Sequence, residues 1–194
     1  MTQNGGALST SIIKGTSERW SNSAAGLPTL QPSWFAVQTK ARHEKKVSVR
    51  LCEQDIESFL PLRRERRQWS DRQQWIESPL FSHYIFVRIP GTTETRVKVL
   101  RTGGVVRFAG AAGWGTALSD EQVENLQAIV AQRIPVLPLE FINVGERVRI
   151  RGGALNGMVG ILAAVKNDRS LIVSLDLIQK SVAIRIDGFE VERA

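Results

Sequence analysis

One change of texture along the chain constrains its fold more than any other feature. From Trp34 to about residue 131, short apolar runs with strand period alternate with stretches of helical period. Beyond about residue 143 the runs RVRI, MVGILAAV, LIVSL and VAIRI are separated by Gly, Asn and Asp, and no useful helical period remains. Between the two textures lies RIPVLPLEFINVG, whose two prolines interrupt the periodicity. The pattern predicts an α+β domain over residues 34–131, a linker over 132–142, and a small all-β barrel over 143–194. A barrel suits short Val- and Ile-rich strands because closure removes exposed sheet edges. Residues 1–33 are rich in Ser, Thr, Gly and Asn and are expected to form a flexible tail.

Within the first domain, WFAVQTK alternates apolar and polar positions and reads as a strand. The following ARHEKKVSVRLCEQ places Val47 and Leu51 one helical turn apart. ESFLPL is a second strand, and RRERRQWSDRQQWIESPLF reads as a long hairpin turning near Asp71. HYIFVRI is apolar enough for a central strand, ETRVKVL is a short helix, VVRFA a strand and AGAAGWG a loop. Ser119 opens a capping-box pattern with Gln122, ahead of a helix presenting Val123, Leu126, Ile129 and Val130 on one side.

Charge narrows the function. Lys plus Arg is 26 against 19 Asp plus Glu, a net charge of +7. Residues 34–133 carry 16 basic and 11 acidic side chains, so +5 of the excess falls there and an anionic partner is to be sought in that segment. A single cysteine, Cys52, excludes an internal disulfide and a cysteine-only zinc cage. His43 and His83 have no third metal ligand at a usable spacing, and Ser119 and Ser174 lack a nucleophile-elbow context. GGALNG lacks the Lys-Ser/Thr of a phosphate loop. The expectation is a binding protein with no catalytic site, no cofactor and no metal. No apolar run approaches the roughly 18 residues that span a bilayer, so a cytoplasmic monomer without membrane attachment is expected.

GERVRIRGGALNGMVGILAAV resembles the KOW motif of NusG proteins, with Gly153, Gly157 and Gly160 at its glycine positions. Glycine there permits positive φ and close approach of strands. WFAVQTKARHEKKV, FLPLRRERRQWSDR, PLFSHYIFVRI, GGVVRFAG and SDEQVENLQAIV occur in the order and spacing of a NusG N-terminal domain, so the resemblance covers about residues 34–192. The hairpin and PLFSHYIFV are closer to the specialised RfaH, UpxY and LoaP types than to general NusG. Two positions depart from the pattern. His83 stands where the family often has Gly or Asn, and Leu155 where it commonly has an aromatic.

The resemblance implies an accessory role in transcription elongation and antitermination. The N-terminal domain would bind the clamp helices of RNA polymerase through an apolar concavity matched by Phe35, Phe81, Tyr84 and Phe108. The start of the second helix, Thr95 and Arg96, would reach the opposite side of the cleft. Lys40, His43, Lys46 and Arg50 form a basic stripe that matches the face turned to non-template DNA in specialised members. Arg64 and Arg66, alternate residues of the hairpin, share a face that suits DNA phosphates. Both basic features are equally read as solvated charged surfaces. Leu155 and Met158 are the apolar candidates for a second partner, which in the family is a small-subunit ribosomal protein or the termination factor Rho. A general housekeeping NusG and a ribosome-associated KOW RNA-binding protein are the alternatives.

Overall fold

The computed structural model describes residues 12–13, 31–68, 73–110, 115–132, 136–140, 145–165, 168–186 and 189–194. The elements run β1 (Ile12–Ile13), β2 (Ser33–Thr39), α1 (Glu44–Cys52), β3 (Glu57–Phe59), β4 (Leu62–Gln68), β5 (Gln73–Pro79) and β6 (Tyr84–Ile89). Then come α2 (Thr93–Leu100), β7 (Val105–Phe108), β8 (Ala117–Leu118), α3 (Asp120–Ala131) and β9 (Val136–Glu140). The C-terminal strands are β10 (Glu146–Arg151), β11 (Val159–Val165), β12 (Asp168–Leu175), β13 (Lys180–Arg185) and β14 (Glu190–Arg193). The α+β class expected from the sequence is observed.

The N-terminal sheet has the order β1-β3-β6-β2-β7, with β8 also paired to β2, and every pairing is antiparallel. Trp34, Phe35, Ala36 and Val37 of β2 are all buried, as are Ile85, Phe86 and Val87 of β6. The start of β2 is therefore a continuous buried run, because both faces of the sheet are covered there, and not the half-buried alternation read from WFAVQTK. Register assigns the faces. Phe35 opposes Val87 and Val37 opposes Ile85, whereas Ala36 opposes Phe86 and Gln38 opposes Tyr84.

The first of these faces packs on Val47 and Leu51 of α1 and Val99 of α2. The second packs Trp34, Ala36 and Phe86 with Phe59, Phe81 and the α3 residues Val123, Leu126 and Ile129. Full burial of such side chains stabilises by about 1.5–3 kcal/mol each. The α3 start is fixed by the anticipated capping box, Ser119 Oγ accepting from the Gln122 N–H while Gln122 Oε1 accepts from the Ser119 N–H.

The C-terminal sheet has six antiparallel strands in the order β14-β10-β11-β12-β13-β9. One of them corrects the sequence reading. Strand β9 lies inside the stretch expected to be a linker, 132–142, and pairs with β13 from Val136↔Ile184 to Glu140↔Lys180. Pro138 reads as a breaker in sequence, but β9 is an edge strand, where a missing N–H costs no ladder bond. Strand β14 forms the other edge. The tail reading needs a smaller correction: Ile12 and Ile13 pair with Phe59 and Ser58 of β3. The turn expected near Asp71 and most of the loop AGAAGWG lie outside the described residues.

Candidate functional site

The apolar cluster on the second sheet face does not end at α3. It continues without a break into Val148, Ile150, Leu155, Met158, Leu171 and Val182 of the C-terminal sheet. The 3-10 turn Gly153–Leu155 is in contact with α3. The two sequence textures are thus joined through one apolar core.

The four aromatic candidates divide between opposite faces. Phe35 and Phe108 meet edge to face, ring centres 5.9 Å apart, in the core beneath α1 and α2. They are 3% and 0% exposed. The expectation that they share one docking surface with Phe81 and Tyr84 is corrected by the register, which turns them to the far side of the sheet. Phe81 and Tyr84 do belong together, and Phe81 packs edge to face on Phe86 at 6.2 Å. Phe81 is 2% exposed and Tyr84 half-buried against the shared cluster.

The turn that presents them is built by the residue that departs from the family pattern. The Tyr84 N–H donates to the Phe81 carbonyl at 3.3 Å, and His83 between them has φ +70°, the left-handed region that favours Gly or Asn. Two contacts hold His83 there. Its N–H donates to Oε1 of buried Glu44 at 2.8 Å, and its carbonyl accepts from the Thr39 N–H at 2.8 Å. Glu44 was not singled out from the sequence. Its only signal was an acidic residue at the start of an otherwise basic helix.

Thr95 and Arg96 are occupied locally. Thr92 caps α2 by accepting from the Thr95 N–H at 3.3 Å, and the Thr95 hydroxyl donates to the Pro90 carbonyl. The Arg96 guanidinium lies 4.8 Å from the centre of the Phe35 ring, within cation–π range. Leu155 and Met158, the apolar candidates for a second partner, are 2% and 3% exposed. They are buried because the turn that carries Leu155 packs on α3 and both side chains join the shared cluster. Gly153 (φ +68°) and Gly157 (φ +86°) take left-handed conformations. A Cβ on Gly160 would lie 2.5 Å from the Ile172 carbonyl oxygen across the strand pair.

On the basic side, Lys40, Lys46 and Arg50 are exposed and His43 is half-buried. Arg50 donates to the Gly103 carbonyl, tying α1 to the α2–β7 connection. His43 sits at the α1 N-cap, with its Nδ1 2.9 Å from the Ala41 carbonyl oxygen. Lys40 and Lys46 are therefore the outward members of the stripe, and Arg50 and His43 have structural duties beside any other. The hairpin β4–β5 forms its own two-stranded sheet with Arg64↔Glu77 and Arg66↔Trp75 in register, so these four share a face. Lys45 Nζ donates to the Glu77 carbonyl at 2.9 Å and links α1 to the hairpin. Arg63 pairs with Glu65 at 2.7 Å on the hairpin's other face.

Among the described residues no group of three His, Cys, Asp or Glu is placed to hold a metal, and no helix is long and apolar enough to cross a membrane.

The family described as "Transcription termination factor nusG" matches residues 32–127, the segment that holds β2 to β8 and most of α3. Over that segment the chain is of the NusG family. It is 25% identical over 179 residues to the transcription termination/antitermination protein NusG of Lactococcus lactis, covering 86% of this chain and 95% of that one. It is also 25% identical to the protein of the same name from Staphylococcus carnosus, covering 82% and 94%. A solved structure titled "Domain interaction in Thermotoga maritima NusG" shares the fold with TM-score 0.53 and 18% identity, covering 85% of this chain and 98% of that chain.

Proposed function

We propose that this chain is a transcription elongation and antitermination factor that docks on the clamp helices of RNA polymerase through the sheet face bearing Phe81 and Tyr84. One observation supports the docking surface: the apolar cluster of this face runs on past α3 into the C-terminal sheet, whereas the cluster of the opposite face ends beneath α1 and α2. An apolar helix pair settling on such a face needs no chemistry beyond burial of aromatic and aliphatic groups. The basic stripe and hairpin lie on the same molecule as outward cations suited to the non-template strand. Bound across the cleft, the protein would favour the processive conformation merely by binding it more tightly than the paused one. The action is accessory, with no bond made or broken by the protein, and the reading extends to a specialised member dedicated to particular operons.

The apolar cluster of that same face runs on into the C-terminal domain, and the candidate partner residues Leu155 and Met158 are buried within it. Polymerase binding on one side and ribosomal-protein or Rho binding on the other therefore both require the domains to part. Titration of the full chain with an isolated clamp-helix fragment tests the reading. Saturable binding, with backbone amide shifts centred on Phe81, Tyr84 and α3, is expected. Shifts confined to α1 and α2 would refute the surface. Genome-wide occupancy confined to a few operons would separate a specialised member from a general factor found on most transcribed genes.

A further inference from the structure

The hairpin β4–β5 carries an aromatic side chain whose placement the fold does not require. Trp75 is 60% exposed, more than any other large hydrophobic residue among those described. Burying it elsewhere would have been favourable, because a tryptophan loses a large apolar area from water on burial. It stands directly opposite Arg66, and the Arg64 guanidinium lies 5.5 Å from the centre of its ring. Arg64, Arg66 and Trp75 share one face, and all three are exposed. The hairpin's other face takes the half-buried Ile76 and the Arg63–Glu65 ion pair, so the packing and charge neutralisation of the ribbon lie there. Among the described residues the exposed face keeps two arginines against the single acidic side chain of Glu77.

We propose that the Arg64–Trp75–Arg66 face is a stacking site for an unpaired base of single-stranded nucleic acid, with Trp75 taking the base and the two arginines the flanking phosphates. An exposed indole between cations fits this ligand better than duplex, whose bases are already stacked on each other. An arginine at cation–π distance also limits the ring's freedom before any ligand arrives, which lowers the ordering cost of binding. The proposal deepens the nucleic-acid reading of the hairpin and rests on it. It does not depend on polymerase docking.

The test uses the full chain and 12-nucleotide probes of oligo-dT, oligo-U and a duplex of equal length, followed by fluorescence anisotropy across a salt series. Trp75→Ala should weaken the single-stranded probes roughly 5- to 150-fold, the range for removal of one base–aromatic stack. The salt slope should stay the same, the duplex should be much less affected, and Trp75→Phe should recover most of the affinity. Arg64→Gln with Arg66→Gln should lower the salt slope by about 0.7 for each phosphate no longer neutralised. The tighter of the DNA and RNA probes identifies which strand the site prefers. If the arginine variants reduce affinity and slope while Trp75→Ala affects single strand and duplex alike, stacking is overturned and phosphate binding stands. If no variant changes binding, both fall. Binding of oligo-glutamate in place of the nucleic acids would reassign the face to an acidic protein partner and also overturn the proposal.

Discussion

Leu155→Ala is the perturbation that best separates a domain contact from a mere core position. Leu155 lies in the turn that touches α3, and it is 2% exposed within the cluster spanning both domains. The substitution removes about three carbon atoms at about 0.8 kcal/mol each, so the closed arrangement is weakened by roughly 2 kcal/mol relative to the open one. If the clamp-helix fragment binds only the open form, its apparent affinity equals the intrinsic affinity scaled by the open fraction. A ~2 kcal/mol shift then raises that affinity up to roughly 30-fold, with the gain ending once the open form predominates. Calorimetric titration of the full-length wild type and variant measures it, with amide spectra reporting whether the C-terminal sheet remains folded. Unchanged or weaker binding by a folded variant would refute the claim that the two domains compete for this face. Failure of both proteins to bind would instead count against the docking surface itself.

His83→Gly should raise thermal stability by roughly 0.5–1 kcal/mol, since relief of a left-handed residue exceeds the entropy cost of glycine; calorimetric melting checks it, and a lower midpoint would argue against strain at φ +70°. Gly160→Ala should destabilise the C-terminal sheet by roughly 1–3 kcal/mol, because the added methyl meets the Ile172 carbonyl at 2.5 Å; urea unfolding would show it. Ser119→Ala should cost about 1 kcal/mol through removal of the α3 cap, measured by the same unfolding. Lys40→Ala with Lys46→Ala should leave clamp-helix binding intact but weaken recruitment to an elongation complex and flatten its salt dependence. An unaltered salt slope would make the stripe a solvated face.

Features that depend on local period were legible in residue order. Val47 and Leu51 one turn apart, the Ser119–Gln122 box and the Gly153–Gly157 turn are each fixed by neighbours a few positions away, and each is found. The division of Phe35 and Phe108 from Phe81 and Tyr84 was not legible, because it depends on which strand opposes which. Only the pairing of Val37 with Ile85 and Phe108 settles that Phe35 faces the helices. The burial of Leu155 was hidden for a similar reason. A leucine in a glycine-rich turn looks like a surface residue until another domain is packed on it. Strand β9 was hidden because Pro138 signals a break locally, whereas its tolerance comes from an edge position set by the whole sheet.

The β9 pairing also sets the length of the leash between the domains. With β9 zipped to β13, only residues 132–135 separate the end of α3 from the C-terminal sheet. Fully extended, they reach roughly 15 Å. If the domains part as proposed, the sheet could then tip away from α3 but not travel far along the surface of a large partner. If β9 peels off, residues 132–145 become available before β10 begins, and the reach grows to about 50 Å. Range is thus coupled to the integrity of one edge strand. A substitution that loosens β9 would extend the territory the C-terminal domain can search, and one that tightens it would keep that domain close to wherever the first is docked.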